Sequence, residues 1–192
     1  MEPKPVFDRP SYIGTGKLKD KVALITGGDS GIGRATAVAF AKEGADICIA
    51  YYNEHEDAQI TKSYIEAQGR RCLLMAGDIR DEMFCRKAVA CTVSTFGGLD
   101  ILVNNAGVQF PQASIEDISI DQMVLTFEVN FFGMFIMTKT ALPYLKCGSS
   151  IINTTSITAY VGNDQLIDYS STKGAIVSFT RAMARSVVSK GI

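Results

Sequence analysis

Tyr169-Ser170-Ser171-Thr172-Lys173 sets a phenol and an ammonium four positions apart. On a helix, positions i and i+4 share a face, so both groups can enter one cleft. A phenol, with a pKa of about 10, is a poor acid or base at neutral pH. A cation held beside it favours phenolate and moves it toward useful proton transfer. Tyr and Lys at this spacing are also common on helix surfaces, so the pair alone decides nothing. Ser156 lies thirteen residues earlier and could hydrogen-bond a substrate carbonyl, stabilising a developing alkoxide. It could equally cap its own loop, and Thr154 and Thr155 carry the same hydroxyl chemistry.

Thr26-Gly27-Gly28-Asp29-Ser30-Gly31-Ile32-Gly33 follows the apolar run Val22–Ile25 and precedes a helical pattern from Arg34. A strand that passes through glycines into a helix brings bare N–H groups and the positive end of the helix dipole together. That is a seat for a phosphate, or simply a tight strand-to-helix turn. The spacing is not Gly-x-Gly-x-x-Gly, and no Gly-Lys-Ser/Thr of a P-loop is present. Asn104-Asn105-Ala106-Gly107 forms a second turn, fit to tie backbone groups or to line a cofactor cleft. Asn130 stands in an apolar helix and needs a partner, either a neighbouring loop or a water in a proton path. Asp78 could accept from an adenine amino group or begin the helix near Asp81.

The elements that must position these residues alternate. Strands are expected at Val22–Thr26, Asp46–Tyr51, Arg71–Ala76, Asp100–Val103 and Ser150–Thr155. Helices are expected at Gly31–Glu43, Glu54–Gln68, Asp81–Phe96, from about Ser119 to Leu142 with a break near Gly133, and from Tyr169 to about Ser189. Short apolar strands between helices predict an α/β fold: a doubly wound, Rossmann-type parallel sheet with helices on both faces. Ligands then sit at the carboxyl ends of the strands, where the strand order reverses. Residues 1–20 read as an extended arm that lies on the surface or reaches a neighbouring subunit, and 21–192 as the dinucleotide-binding domain. A sixth strand is expected after Ile192 and the fifth keeps an open edge, so the C-terminal strands are read as absent and the chain as truncated.

Length 192, 47% hydrophobic and 20% charged residues and a net charge of −1 suit one globular domain without a nucleic-acid-binding face. The apolar runs read as too short and broken to span a bilayer, and nothing reads as a secretory signal. Five scattered cysteines point to reduced thiols in a cytoplasmic protein and to no metal site. The lone histidine, His55, sits among acids and reads as solvated at a helix start.

Taken together, Thr26-Gly27-x-x-x-Gly31-x-Gly33, Asp78, Asn104–Gly107, Asn130, Ser156 and Tyr169-x-x-x-Lys173 resemble the short-chain dehydrogenase/reductase family in order and spacing from about Lys21 to Ile192. The arm and the wording of the glycine turn look like a bacterial branch of general-stress oxidoreductases. The resemblance implies hydride transfer between NAD or NADP and a small carbonyl or secondary alcohol. Tyr169 would move the proton, Lys173 support it and bond the nicotinamide ribose, Ser156 orient the substrate oxygen, and Asn130 hold a water. It implies cofactor contacts at Gly27, Asp29, Ser30, Gly31, Ile32, Gly33, Tyr51, Asp78, Ile79, Asn105, Ala106, Gly107, Tyr169 and Lys173. A homotetramer or homodimer is also implied. A competing reading is a nucleotide sensor or scaffold that keeps the cleft without turnover. No acid stands at the end of the second strand and no arginine follows it, which leaves NAD and NADP both open, with Arg34 a candidate phosphate partner.

Overall fold

The computed structural model describes residues 5–192. Five strands, β1 Val22–Thr26, β2 Asp46–Tyr51, β3 Cys72–Ala76, β4 Ile101–Asn104 and β5 Ser150–Asn153, form one parallel sheet in the order β3-β2-β1-β4-β5. β1 and β2 are buried along their whole length, which is why they read as unbroken apolar runs. Their residues alternate between faces: Val22, Leu24, Cys48 and Ala50 enter one core cluster, and Ala23, Ile25, Ile47 and Ile49 the other. Helices α1 Gly31–Lys42 and α2 His55–Glu66 close the second cluster with Ala37, Ala41, Ala58 and Ile65. Helix α3 Glu82–Phe96 closes the first with Cys85, Ala88 and Val89. The doubly wound architecture expected from the alternation is the one observed.

The strand order reverses between β1 and β4, and there the two turns meet. Thr26 Oγ1 accepts the N–H groups of Asn105 and Ala106 at 3.0 and 3.1 Å. Asn105 Nδ2 donates to the Gly27 carbonyl at 3.1 Å.

The long helix is continuous over 25 residues, Ile120–Tyr144. It runs through α4 Ile120–Phe127, a π turn at Glu128–Gly133, α5 Met134–Ala141 and a closing 3-10 turn. Gly133 does not break it. A Cβ there would come within 2.7 Å of the Ile79 side chain, so the glycine permits a close approach instead. Contrary to the expectation from broken apolar runs, an 18-residue window of this continuous helix has a mean hydropathy of 1.3, long and apolar enough to cross a membrane by length and composition only. In the fold it packs on β4, α3 and α7 Ile167–Val187. Its buried Thr126, Asn130 and Thr138 hydrogen-bond to Asp168, Val108 and Asn104.

The described part of the arm lies on α1 and α2 of its own chain. Phe7 meets Tyr64 edge-on, Asp8 pairs with Lys42, and the Arg34 guanidinium sits 5.1 Å from the Phe7 ring. Glu43, 5% exposed, accepts the Tyr12 hydroxyl and the N–H groups of Thr15 and Lys17. The Tyr12 bond first, then the Lys17 amide, hold its carboxyl down at about 2.

Candidate active site

A cleft of about 500 Å³ opens across the carboxyl ends of β1 to β4. That is ample for a cofactor-sized ligand. Of the sequence-derived cofactor residues, Gly27, Asp29, Ser30, Tyr51, Asp78, Ile79, Asn105, Ala106 and Gly107 line it. Gly31, Ile32, Gly33, Tyr169 and Lys173 do not, and the Ile32 side chain is 68% exposed. Gly33 acts from beneath: a Cβ there would stand 1.9 Å from the Gly27 carbonyl oxygen and 2.8 Å from Asn105 Nδ2. Gly27 adopts φ +63, a left-handed turn that glycine takes without strain.

The start of α1 is left open to a ligand. Ser30 makes no side-chain capping bond, and no acidic residue occupies the first turn. Orphan N–H groups beside a glycine turn and a cleft are what a pyrophosphate requires. The residues present therefore fit a dinucleotide.

Asp78 does not cap α3, which is the work of Asp81, whose side chain accepts the Met83 N–H at 2.8 Å. Instead it lies in the cleft wall with Arg80 at 2.6 Å, whose hydrogen bonds hold its carboxyl below the usual range. Arg34 contradicts its expected part as a phosphate partner. Its Nε donates to the Asp29 carbonyl and to Thr61, and Nη2 donates to the Asp57 carboxylate at 2.5 Å. The guanidinium is locked between the arm and α2. His55 caps nothing in the cleft; it is exposed, and its Nδ1 shares a 2.9 Å hydrogen bond with the Tyr51 hydroxyl.

Asn130 and Lys173 stand beside Gly107 with Tyr169 next to Lys173, while Ser156 lies on the loop after β5. Lys173 is 3% exposed, donates to the Thr154 carbonyl at 3.0 Å, and its Nζ lies 5.3 Å from the centre of the Tyr169 ring. Burial pushes its pKa below the ordinary 10.5. A Cβ on Gly107 would lie 3.7 Å from Lys173 Nζ, so ammonium and cleft adjoin. Among the described residues the Tyr169 hydroxyl has no hydrogen-bond partner.

The three adjacent hydroxyls sort themselves by their bonds. Thr154 Oγ1 reaches Asn105 at 3.4 Å, and Thr155 Oγ1 donates to the Lys173 carbonyl at 3.0 Å. Ser156 Oγ accepts from the N–H and hydroxyl of Thr158 at 3.2 and 3.1 Å, at the start of the short helix α6 Thr158–Val161. Those bonds tie the Ser156 hydroxyl to the first residue of that helix. Asn130, 1% exposed, spends its side chain on both backbone groups of Val108 and on Thr172. Its amide thus clamps the loop after β4 and ties it to α7 through Thr172.

One residue escaped the sequence reading. Asp168, 3% exposed, accepts the Tyr169 N–H at 2.8 Å, Thr126 Oγ1 at 2.8 Å and Gln122 Nε2 at 3.0 Å. Gln122 continues to Gln112 and to the Phe110 carbonyl, tying the loop after β4 to the first turn of α7. An acid at a helix start looks ordinary in a sequence. Only the polar Gln122 and Thr126 in an apolar helix hinted at a buried partner.

The sequence matches the short chain dehydrogenase family over residues 21–192. The chain belongs to that family. General stress protein 39 of Bacillus subtilis is 60% identical over 192 residues, all of this chain and 67% of that protein. NADPH-dependent aldehyde reductase 1, chloroplastic, of Arabidopsis thaliana is 43% identical over 198 residues, all of this chain and 69% of that protein. A short-chain dehydrogenase of Burkholderia cenocepacia, solved in complex with NADP, is 37% identical with TM-score 0.86, covering 91% of this chain and 71% of that one. The chain thus spans about two thirds of the length of curated members of the family it matches.

Proposed function

We propose that the protein is an NAD(P)-dependent oxidoreductase acting on a small carbonyl or secondary alcohol through Ser156, Tyr169 and Lys173. The observation that carries this is the buried Lys173 ammonium, 5.3 Å from the Tyr169 ring and adjoining the cleft at Gly107. A lysine buried without an acidic partner among the described residues bears its desolvation cost uncompensated, and such groups collect at functional sites. When bound, a nicotinamide supplies or accepts the hydride. Tyr169 gives a proton to the substrate oxygen, or takes it in the alcohol direction. Lys173 stabilises the phenolate that donation leaves behind, and Ser156 donates to the substrate oxygen as charge develops there. Gly27, the first turn of α1 and Asn105 bind the remainder of the cofactor.

The same reading proposes a homodimer or homotetramer. Ile120, Met123, Val124, Phe132 and Phe135 are 43–73% exposed along the long helix, and Phe131 and Phe135 stack edge-on against Phe179 of α7. An exposed apolar row of that kind suits a second copy. The enzymatic reading is tested by following nicotinamide absorbance with a panel of aldehydes, ketones and sugars. Reduction or oxidation by any of them is the expected result. Cofactor binding with no turnover across the panel would replace it with the sensor reading.

A further inference from the structure

We propose that the adenosine end of the cleft selects NAD(H) over NADP(H), through the free carboxylate of Glu54 and through the sequestration of Arg34. The inference rests on the dinucleotide reading above and deepens it.

Glu54 lies 21 positions past Gly33 and lines the cleft with Tyr51 and Tyr52. An acid about twenty residues beyond a glycine turn is placed to take the ribose 2′-OH. The sequence hid it because β2 stops at Tyr51, and the bend at Tyr52-Asn53 returns the chain to the cleft. Glu54 precedes α2 without capping it, and among the described residues it has no ion-pair or hydrogen-bond partner for its carboxylate. It is exposed and charged toward whatever enters.

The cations nearby are already engaged. Arg34 bonds to Asp29, Thr61 and Asp57 along its edge, lies over Phe7 with its face, and keeps only 13% side-chain exposure. Arg80, the only basic residue in the cleft wall among those described, pairs with Asp78 at 2.6 Å and Glu128 at 3.3 Å. The wall thus holds three carboxylates, Asp29, Glu54 and Asp78, against one neutralised guanidinium. A 2′-phosphate brings about −1.5 to −2 more charge at neutral pH. It would have to displace an ion pair to find a counter-charge, whereas a 2′-hydroxyl gains an acceptor.

Calorimetric titration of this chain with NAD+ and with NADP+ tests the proposal without requiring turnover. The expected result is NAD+ tighter by at least about tenfold, the ratio that ~1.4 kcal/mol gives. Glu54→Gln should narrow that ratio mainly by improving NADP+. Asp57→Asn, which loosens Arg34, should do the same. Equal affinities, or tighter NADP+, in the unaltered chain would overturn the proposal. An unchanged ratio in Glu54→Gln with unaltered thermal stability would remove Glu54 from it. Failure of both nucleotides to bind would instead refute the dinucleotide reading on which it stands.

Discussion

Asp168→Asn isolates the contribution of one buried carboxylate while keeping its shape. Asp168 accepts three hydrogen bonds, one on Oδ1 from Tyr169 N–H and two on Oδ2 from Gln122 and Thr126. An asparagine retains one oxygen. If that oxygen faces Gln122 and Thr126, the new amide points an N–H at the Tyr169 N–H. If it turns the other way, two donors are stranded, and Gln122 cannot flip without losing Gln112 and Phe110. The milder outcome forfeits one bond to a charged group, roughly 1.5–3 kcal/mol, and weakens the other two. Removing a buried charge that has no cation partner acts in the opposite direction. Three donors compensate that charge in the fold, so a net loss of about 2 kcal/mol is expected. Urea unfolding should show it as a lower midpoint at an unchanged slope. In the intact enzyme kcat should fall more than KM rises, because the carboxylate fixes the turn that carries Tyr169. Unchanged or increased stability would show that desolvation outweighs the hydrogen bonds and would refute the reasoning.

Gly33→Ala should cost about 1–3 kcal/mol, toward the upper end because the new Cβ meets the Gly27 carbonyl rather than a movable side chain. Nucleotide affinity should fall with it by calorimetry; an alanine variant of native stability and affinity would contradict the account of the turn. Burial pushes the thiols of Cys48, Cys72 and Cys85 up from 9.0 to about 12. The unfolded chain loses these protons first, so stability should fall between pH 9 and about 12, by roughly 1.4 kcal/mol per pH unit for each fully buried thiol. In the same protein at neutral pH, exposed Cys147 should react with a thiol reagent well before those three. Glu43 is depressed from 4.5 to about 2, so its hold on the arm is complete above pH 4.5 and lost only as pH falls through about 2. The amide shifts of Thr15 and Lys17 should titrate with that low midpoint, and a midpoint near 4.5 would show that Glu43 does not bind them.

The sheet was legible because buried parallel strands are continuous apolar runs, and β1 and β2 were placed to the residue. The proximity of Tyr169 to Lys173 and the turn at Asn105 were legible because both depend on local spacing, i to i+4 or a turn after a strand. What escaped depends on partners distant in sequence. Arg34 looked free because Thr61 and Asp57, its captors, stand more than twenty residues away. Asp168 did not stand out because Gln122 and Thr126 reach it from across 42 to 46 positions. The π turn at Glu128–Gly133 shifts the helical phase there, so Gly133 read as a break. Glu54 is not legible as a cleft residue because it stands three positions past the end of β2, where only the bend in the chain brings it back to the cleft.

The central claim is that Tyr169 moves the proton, with the Lys173 ammonium beside it. Turnover of a responsive carbonyl by the intact protein and by Tyr169→Phe, each with cofactor affinity measured separately, tests it most directly. Phenylalanine keeps the ring that faces Lys173 and removes only the hydroxyl. The account predicts a loss of turnover of about 100-fold or more, with cofactor binding largely retained. Turnover at the unaltered rate in Tyr169→Phe would contradict it.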